Sequence, residues 1–192
     1  WHHACIFCIL KKQENNCRAL YEFDGKRPRV PDDSFVHPQA ALIGDIEVGH
    51  ECLIAPGVSI RADFGPVIIG DRSNVQDNSV IHVFPGSKVI IEQDVIVAHG
   101  VILHDVHIKS RCVIGMGAVL LFGAVCEEDV FVSVGAVVSK GMQIPAGKVV
   151  AGNPAKITRD VSDDQKLMAK EGINYYRELC RKYIATMQQV SD

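Results

Sequence analysis

An aliphatic side chain that returns every sixth position constrains this chain more than any other feature. From Val36 the count runs Leu42, Val48, Ile54 and Ile60. It resumes at Ile69, Val75 and Ile81, again at Ile91, Val97 and Leu103, and then at Ile108, Ile114, Leu120, Cys126, Val132, Val138, Ile144 and Val150. A period of six fits neither an amphipathic helix nor a simple alternating strand. It predicts a parallel β-helix: each unit supplies one short strand and one corner, the aliphatic points inward, and three units close a triangular coil of roughly 18 residues. Four residues further along the units stand small or apolar side chains, among them Ala40, Cys52, Val58, Val101, Cys112, Ala118, Ala124 and Ala136, which suit a tight corner. An inner column of aliphatics worth about 1.5–3 kcal/mol per side chain can hold such a chain together without a helical core.

Two interruptions break the count. Ile60 to Ile69 exceeds a unit by three residues and Ile81 to Ile91 by four, and the extra residues, around Phe64-Gly65-Pro66 and Phe84-Pro85-Gly86, are turn-formers expected to protrude as loops. With the insertions removed the register closes. Arg61, His82 and His104 each follow an inward aliphatic directly; Arg61 to His82 is one coil plus the first insertion, and His82 to His104 one coil plus the second. All three are therefore expected on one outer face, in successive coils about 4.7–4.9 Å apart, close enough for two imidazoles to share a metal ion. His99 belongs to the preceding unit and so to another face, which means that one chain does not bring the three histidines together.

The runs RADFG, GDRSNVQD, VIH and AHGVILH, in this order and spacing, resemble the signature of the γ-class carbonic anhydrases and their relatives in the hexapeptide-repeat superfamily. The resemblance extends from about Leu20 to Tyr183. It implies an all-β solenoid with a C-terminal α-helix, a left-handed parallel β-helix of hexapeptide repeats, assembled as a homotrimer with metal sites between subunits. By the same resemblance His82 and His104 of one subunit and His99 of its neighbour bind zinc, or another divalent ion such as cobalt or ferrous iron, and Gln76 orients water or substrate. Arg61, Asp63 and Asp77 resemble the family's interface ion-pair network. The family's usual proton-shuttling glutamates have no counterpart: Phe64 stands after Asp63, and Val83-Phe84-Pro85-Gly86-Ser87 carries no carboxylate. Other branches use a tyrosine of the C-terminal helix, for which Tyr175 and Tyr176 are the candidates.

Three imidazoles leave a zinc ion its full charge and an open position, which brings the pKa of a coordinated water toward about 7. The expected activity is hydration of carbon dioxide to bicarbonate, a lyase reaction on a small-molecule substrate. The alternatives are a superfamily acyltransferase or thioesterase acting on a coenzyme A thioester, and a metal-binding trimer without turnover. Three ligand-like histidines weigh against the transferase, which needs a single histidine base.

Elsewhere, 192 residues with 47% hydrophobic content suit one domain, and a net charge of −3 offers no basic field for nucleic acid or an anionic membrane. No apolar run is long enough to span a bilayer. The expected organisation is a leader or extra segment at 1–19, a β-helix at 20–155 and a helical segment at 156–192 packed on it. In the first, His2, His3, Cys5 and Cys8 offer metal donors, but the CxxC lacks a second pair. Seven cysteines imply no disulfide framework, and Cys52, Cys112 and Cys126 are expected inside, which suits a reducing cytoplasm. His37, His50 and His107 are expected at the surface or at corners. Gly152-Asn153-Pro154 ends the repeat, and Ser162 with Gln165 forms a capping box that opens a helix running to about Gln188. Tyr176, Leu179, Tyr183 and Met187 should pack it on the solenoid, with Gly172 a candidate break.

Overall fold

The computed structural model describes residues 18–190. The first 17 residues, with the His2, His3, Cys5 and Cys8 group, lie outside the described residues. The described chain forms a parallel β-solenoid of about seven turns with one C-terminal helix. Every aliphatic of the six-residue count, from Val36 to Val150, is at most 3% exposed, and so is each of the eight small corner residues named above. The hexapeptide β-helix is thus the observed architecture.

Its three faces are set by the strand pairing. One face stacks Ser59–Ile69, Val80–His82, Ile102–His104, Val119–Leu120 and Val137–Val138. The second stacks the far half of Ser59–Ile69 with Val89–Ile91, His107–Ile108, Val125–Cys126 and Gln143–Ile144. The third runs from Phe35–Val36 through Leu53–Ile54, Asn74–Val75, Ile96–Val97, Val113–Ile114 and Phe131–Val132 to Lys148–Gly152. Ala155–Asp160 then turns back antiparallel on Lys148–Gly152, so a strand, not yet the helix, comes after the turn at Asn153-Pro154.

The insertions behave differently from one another. The second, Phe84 to Ser87, is a turn closed by the Ser87 N–H donating to Phe84 O at 3.0 Å. The first does not protrude as a separate loop. It is absorbed as a bulge within the continuous strand Ser59–Ile69, where pairing with Ala41–Val48 shifts between Gly44 and Ile46. Gly44 permits this because a Cβ there would sit 2.5 Å from Ala62 O, and Gly65 lets the two insertions touch, since its Cβ would lie 2.4 Å from Ser87 O. A third irregularity escaped the six-residue count: Leu103 to Ile108 is a unit short by one, and Asp105 takes φ 54° to close it.

The helix, α1, spans Asp163–Thr186. Ser162 Oγ accepts from the Gln165 N–H at 3.2 Å while Gln165 Oε1 accepts from the Ser162 N–H at 3.3 Å, the expected capping box. Gly172 does not break it. The helix is continuous there, and a Cβ would press Ile96 Cδ1 at 3.0 Å, so the glycine lets α1 lie close on the third face. Ile173 and Cys180 are buried beneath it, Leu179, Tyr183 and Met187 pack on the core, and Tyr183 stacks on Phe35 with centroids 4.8 Å apart. Arg177 and Arg181 reach Glu51 on the solenoid, Arg177 Nη2 at 2.6 Å. Cys52, Cys112 and Cys126 lie inside as expected, and burial pushes the thiols of Cys52 and Cys126 up to about 12. Among the described residues no helix is long and apolar enough to cross a membrane.

Candidate metal centre

The register brings Arg61 opposite His82 and His82 opposite His104 on adjacent strands. All three point outward because the inward places are held by Ile60, Ile81 and Leu103, each fully buried. The imidazoles of His82 and His104 meet edge to face, centroids 5.0 Å apart, with His82 Nδ1 3.1 Å from His104 Nε2. Each ring is held from behind by a carboxylate: His82 Nε2 lies 3.1 Å from Asp63 Oδ1, and His104 Nδ1 lies 2.7 Å from Asp105 Oδ2. With the far nitrogens donating to those carboxylates, both facing nitrogens carry lone pairs, an arrangement that calls for a proton or a cation between them.

Two nitrogens bound about 2.0–2.1 Å from one tetrahedral ion stand roughly 3.3 Å apart, close to the spacing here, so the donor set fits a divalent metal. A carboxylate behind the ring is not by itself diagnostic, for His50 pairs with Asp33 and His107 with Glu92. What sets His82 and His104 apart is that their remaining nitrogens converge. Within this chain they converge without a third ligand: among the described residues no group of three or more His, Cys, Asp or Glu side chains has metal-binding geometry.

His99 lies on the third face's edge, half exposed, with Nδ1 2.9 Å from Asp77 Oδ2. Asp77 therefore pairs with His99 and not, within the chain, with Arg61, whose Nη1 contacts Asp63 Oδ2 at 3.2 Å. Gln76 is buried on the same side as His99, its Nε2 donating to Asn74 Oδ1 at 3.0 Å, and Asn74 Nδ2 is a buried donor with no partner. Of the two tyrosines, Tyr175 is 68% exposed. Tyr176 is the one that feels Asp77: partial burial raises its phenol pKa, and the Asp77 charge, Tyr175 and Tyr183 raise it further, so it stays protonated at neutral pH. His37 shares this corner, its pKa lowered by burial and only partly restored by Asp77.

Asp105 and Asn74 were not singled out from the sequence. The signal for Asp105 is the five-residue unit with an Asp directly behind His104. For Asn74 it is an amide where the neighbouring third-face strands place Leu53 and Ile96. Around the histidine pair the walls are aromatic: Phe122 stands 4.4 Å from His104 and Phe64 5.9 Å from His82, centroid to centroid, with Phe84 against Phe122.

Comparison with known proteins bears on the family to which the chain belongs. The carnitine operon protein CaiE of a Proteus species is 33% identical over 167 residues, covering 85% of each chain. Gamma carbonic anhydrase 1, mitochondrial, of Arabidopsis thaliana is 33% identical over 181 residues, 91% of this chain. The chain belongs to the γ-carbonic-anhydrase-like family of hexapeptide-repeat proteins. It spans 66% of the length of that plant relative. Among solved structures, a candidate acetyltransferase from Bacillus cereus is 36% identical with a TM-score of 0.86, covering 88% of this chain and 98% of its own. A hexapeptide transferase family protein from Anaplasma phagocytophilum is 29% identical with a TM-score of 0.83, covering 86% and 98%. No protein-family model matches the chain.

Proposed function

We propose that this protein is a metal-dependent hydratase of carbon dioxide, working as a homotrimer with a three-histidine site at each subunit interface. His82 and His104 of one subunit and the partner subunit's His99 would hold zinc, cobalt or ferrous iron. The observation that carries this is the convergence of His82 Nδ1 and His104 Nε2, 3.1 Å apart, each ring backed by its own carboxylate. His99 repeats the pattern with Asp77 on a face that only another copy can present to them. Exposed Phe64, Val80, Phe84 and Ile102 around the pair give a second copy an apolar surface to cover.

When bound, such an ion supplies a Lewis-acid centre that acidifies water toward a pKa of about 7. The chain's own residues do the rest. Asp63 and Asp105 keep the two rings in the tautomers that leave the facing nitrogens free, and Arg61 steadies Asp63. Gln76, its amide nitrogen held by Asn74 Oδ1, presents an amide to orient substrate. Proton transfer is assigned to Tyr176, whose phenol feels the Asp77 charge, with Tyr175 the more exposed of the two tyrosines.

The test is stopped-flow carbon dioxide hydration on protein prepared without oxygen and loaded separately with zinc, cobalt or ferrous iron. Metal-dependent hydration that His104→Ala abolishes is expected. A filled site without hydration would end the hydratase assignment. The two structural neighbours, a hexapeptide transferase family protein and a candidate acetyltransferase, support acyl transfer as a second reading, with hydrolysis of a coenzyme A thioester as its variant. Turnover of such a thioester that survives chelation and His82→Ala would establish it.

A further inference from the structure

We infer that Asp105 is a positioning residue of the metal centre, one that selects Nε2 of His104 as the ligating nitrogen and locks both histidines to the Phe84 loop. This rests on the metal site proposed above. The backbone alone does not call for a carboxylate here. The next two coils close the same corner with Gly123 and Gly141, each in the left-handed region that glycine adopts without strain. This chain instead places an aspartate at φ 54°, a conformation Asp tolerates but does not prefer, and buries its side chain to 5% exposure.

A buried carboxylate is kept only where donors meet it, and Asp105 has two. Oδ1 accepts the Phe84 N–H at 2.7 Å and Oδ2 accepts from His104 Nδ1 at 2.7 Å. Its own N–H points to His82 O at 3.4 Å. One residue thus touches the main chain of the first ligand, the ring of the second and the start of the inserted loop. Holding the proton on His104 Nδ1 leaves the Nε2 lone pair aimed at His82 Nδ1, with the ring unable to turn away. Asp63 does the corresponding job for His82 from a more exposed place, shared with Arg61.

The experiment compares Asp105→Asn and Asp105→Gly with the wild type and His104→Ala, using cobalt(II) as the probe. Affinity is read by chelator competition, ligand geometry by the visible spectrum of the bound cobalt, and scaffold integrity by thermal melting of the metal-free protein. Asp105→Gly suits the left-handed corner, so its metal-free melting point is expected to stay level or rise. Both variants are expected to bind cobalt roughly 10–100-fold more weakly, with an altered spectrum. Cobalt affinity within about twofold of wild type in both variants, where the ligand mutant loses it, would overturn the role of Asp105 alone. Early melting of metal-free Asp105→Gly would assign the residue to the scaffold instead. A wild type whose cobalt binding His104→Ala leaves unchanged would overturn the metal site itself.

Discussion

The face that carries His82 and His104 and the face that carries Asn74 and Gln76 are built from the same six-residue unit, yet they meet their surroundings differently. On the third face the residues just before the inward aliphatic, Phe35, Leu53 and Ile96, are at most 9% exposed, because α1 lies across them. On the histidine face the equivalent residues, Val80 and Ile102, are more than 40% exposed. One apolar face is covered by the chain itself and the other is left open. The open face holds two converging imidazoles, and the edge of the covered one holds His99. Neither set supplies three ligands within one chain, and the shared site proposed above is built on that division.

The sharpest way to break this comparison is to separate the halves genetically. His99→Ala alone, and His82→Ala with His104→Ala, are each expected to lose metal by at least about 100-fold, since a three-ligand site cannot spare one imidazole. Co-expressed in equal amounts, the two variants should recover about a quarter of the wild-type metal content, the chance that an intact pair faces an intact His99 across a head-to-tail interface. Elemental analysis of purified mixed trimers checks this. No recovery from well-formed trimers would show that His99 does not complete the site.

A smaller effect is expected from the core beneath the open face. Leu103 is fully buried between Ile81 and Leu120 and directly precedes His104. Leu103→Ala should lower unfolding free energy by about 2–5 kcal/mol, measured in denaturant, and weaken metal binding by letting the ligand strand relax. Stability loss without any change in metal affinity would mean that Asp105, not the strand, holds His104.

The smallest effect concerns the covered face. Partial burial disfavours charge on Glu51, but hydrogen bonds from Arg181 and Arg177 outweigh it and hold the carboxyl below its ordinary value of 4.5. The unfolded chain therefore binds the proton more readily. The contribution is present above pH about 4.5 and is lost as pH falls through the lower folded value. Glu51→Gln should cost about 1 kcal/mol at neutral pH and flatten the acid limb of the stability profile, a modest effect because the pair is partly solvated. An unchanged acid limb would show that apolar contacts alone dock α1.

Much of this was legible in the residues. The inward column, the small corners, the capping box at Ser162 and the coil-to-coil stacking of Arg61, His82 and His104 all come from counting, because a solenoid maps sequence spacing onto spatial position almost without remainder. Counting failed where a unit shortened unannounced and where turn-forming residues stayed inside a strand. The short unit after Leu103 hid Asp105, and the first insertion, although it contains Gly65 and Pro66, stays in the strand because Gly44 and Gly65 let the backbones close up. Gly172 misled for a related reason: local propensity reads glycine as a break, whereas packing against Ile96 needs its missing Cβ.

By itself, then, the sequence determined the solenoid, the face each histidine occupies and the separation of His99 from the other two, since these depend only on a period and on which residues are apolar. Only the tertiary structure decided which nitrogens face one another, which carboxylate stands behind each ring and which tyrosine feels the Asp77 charge. Those depend on side-chain directions and on bulges of a residue or two, where a few ångströms separate a hydrogen bond from none and no periodicity records the difference.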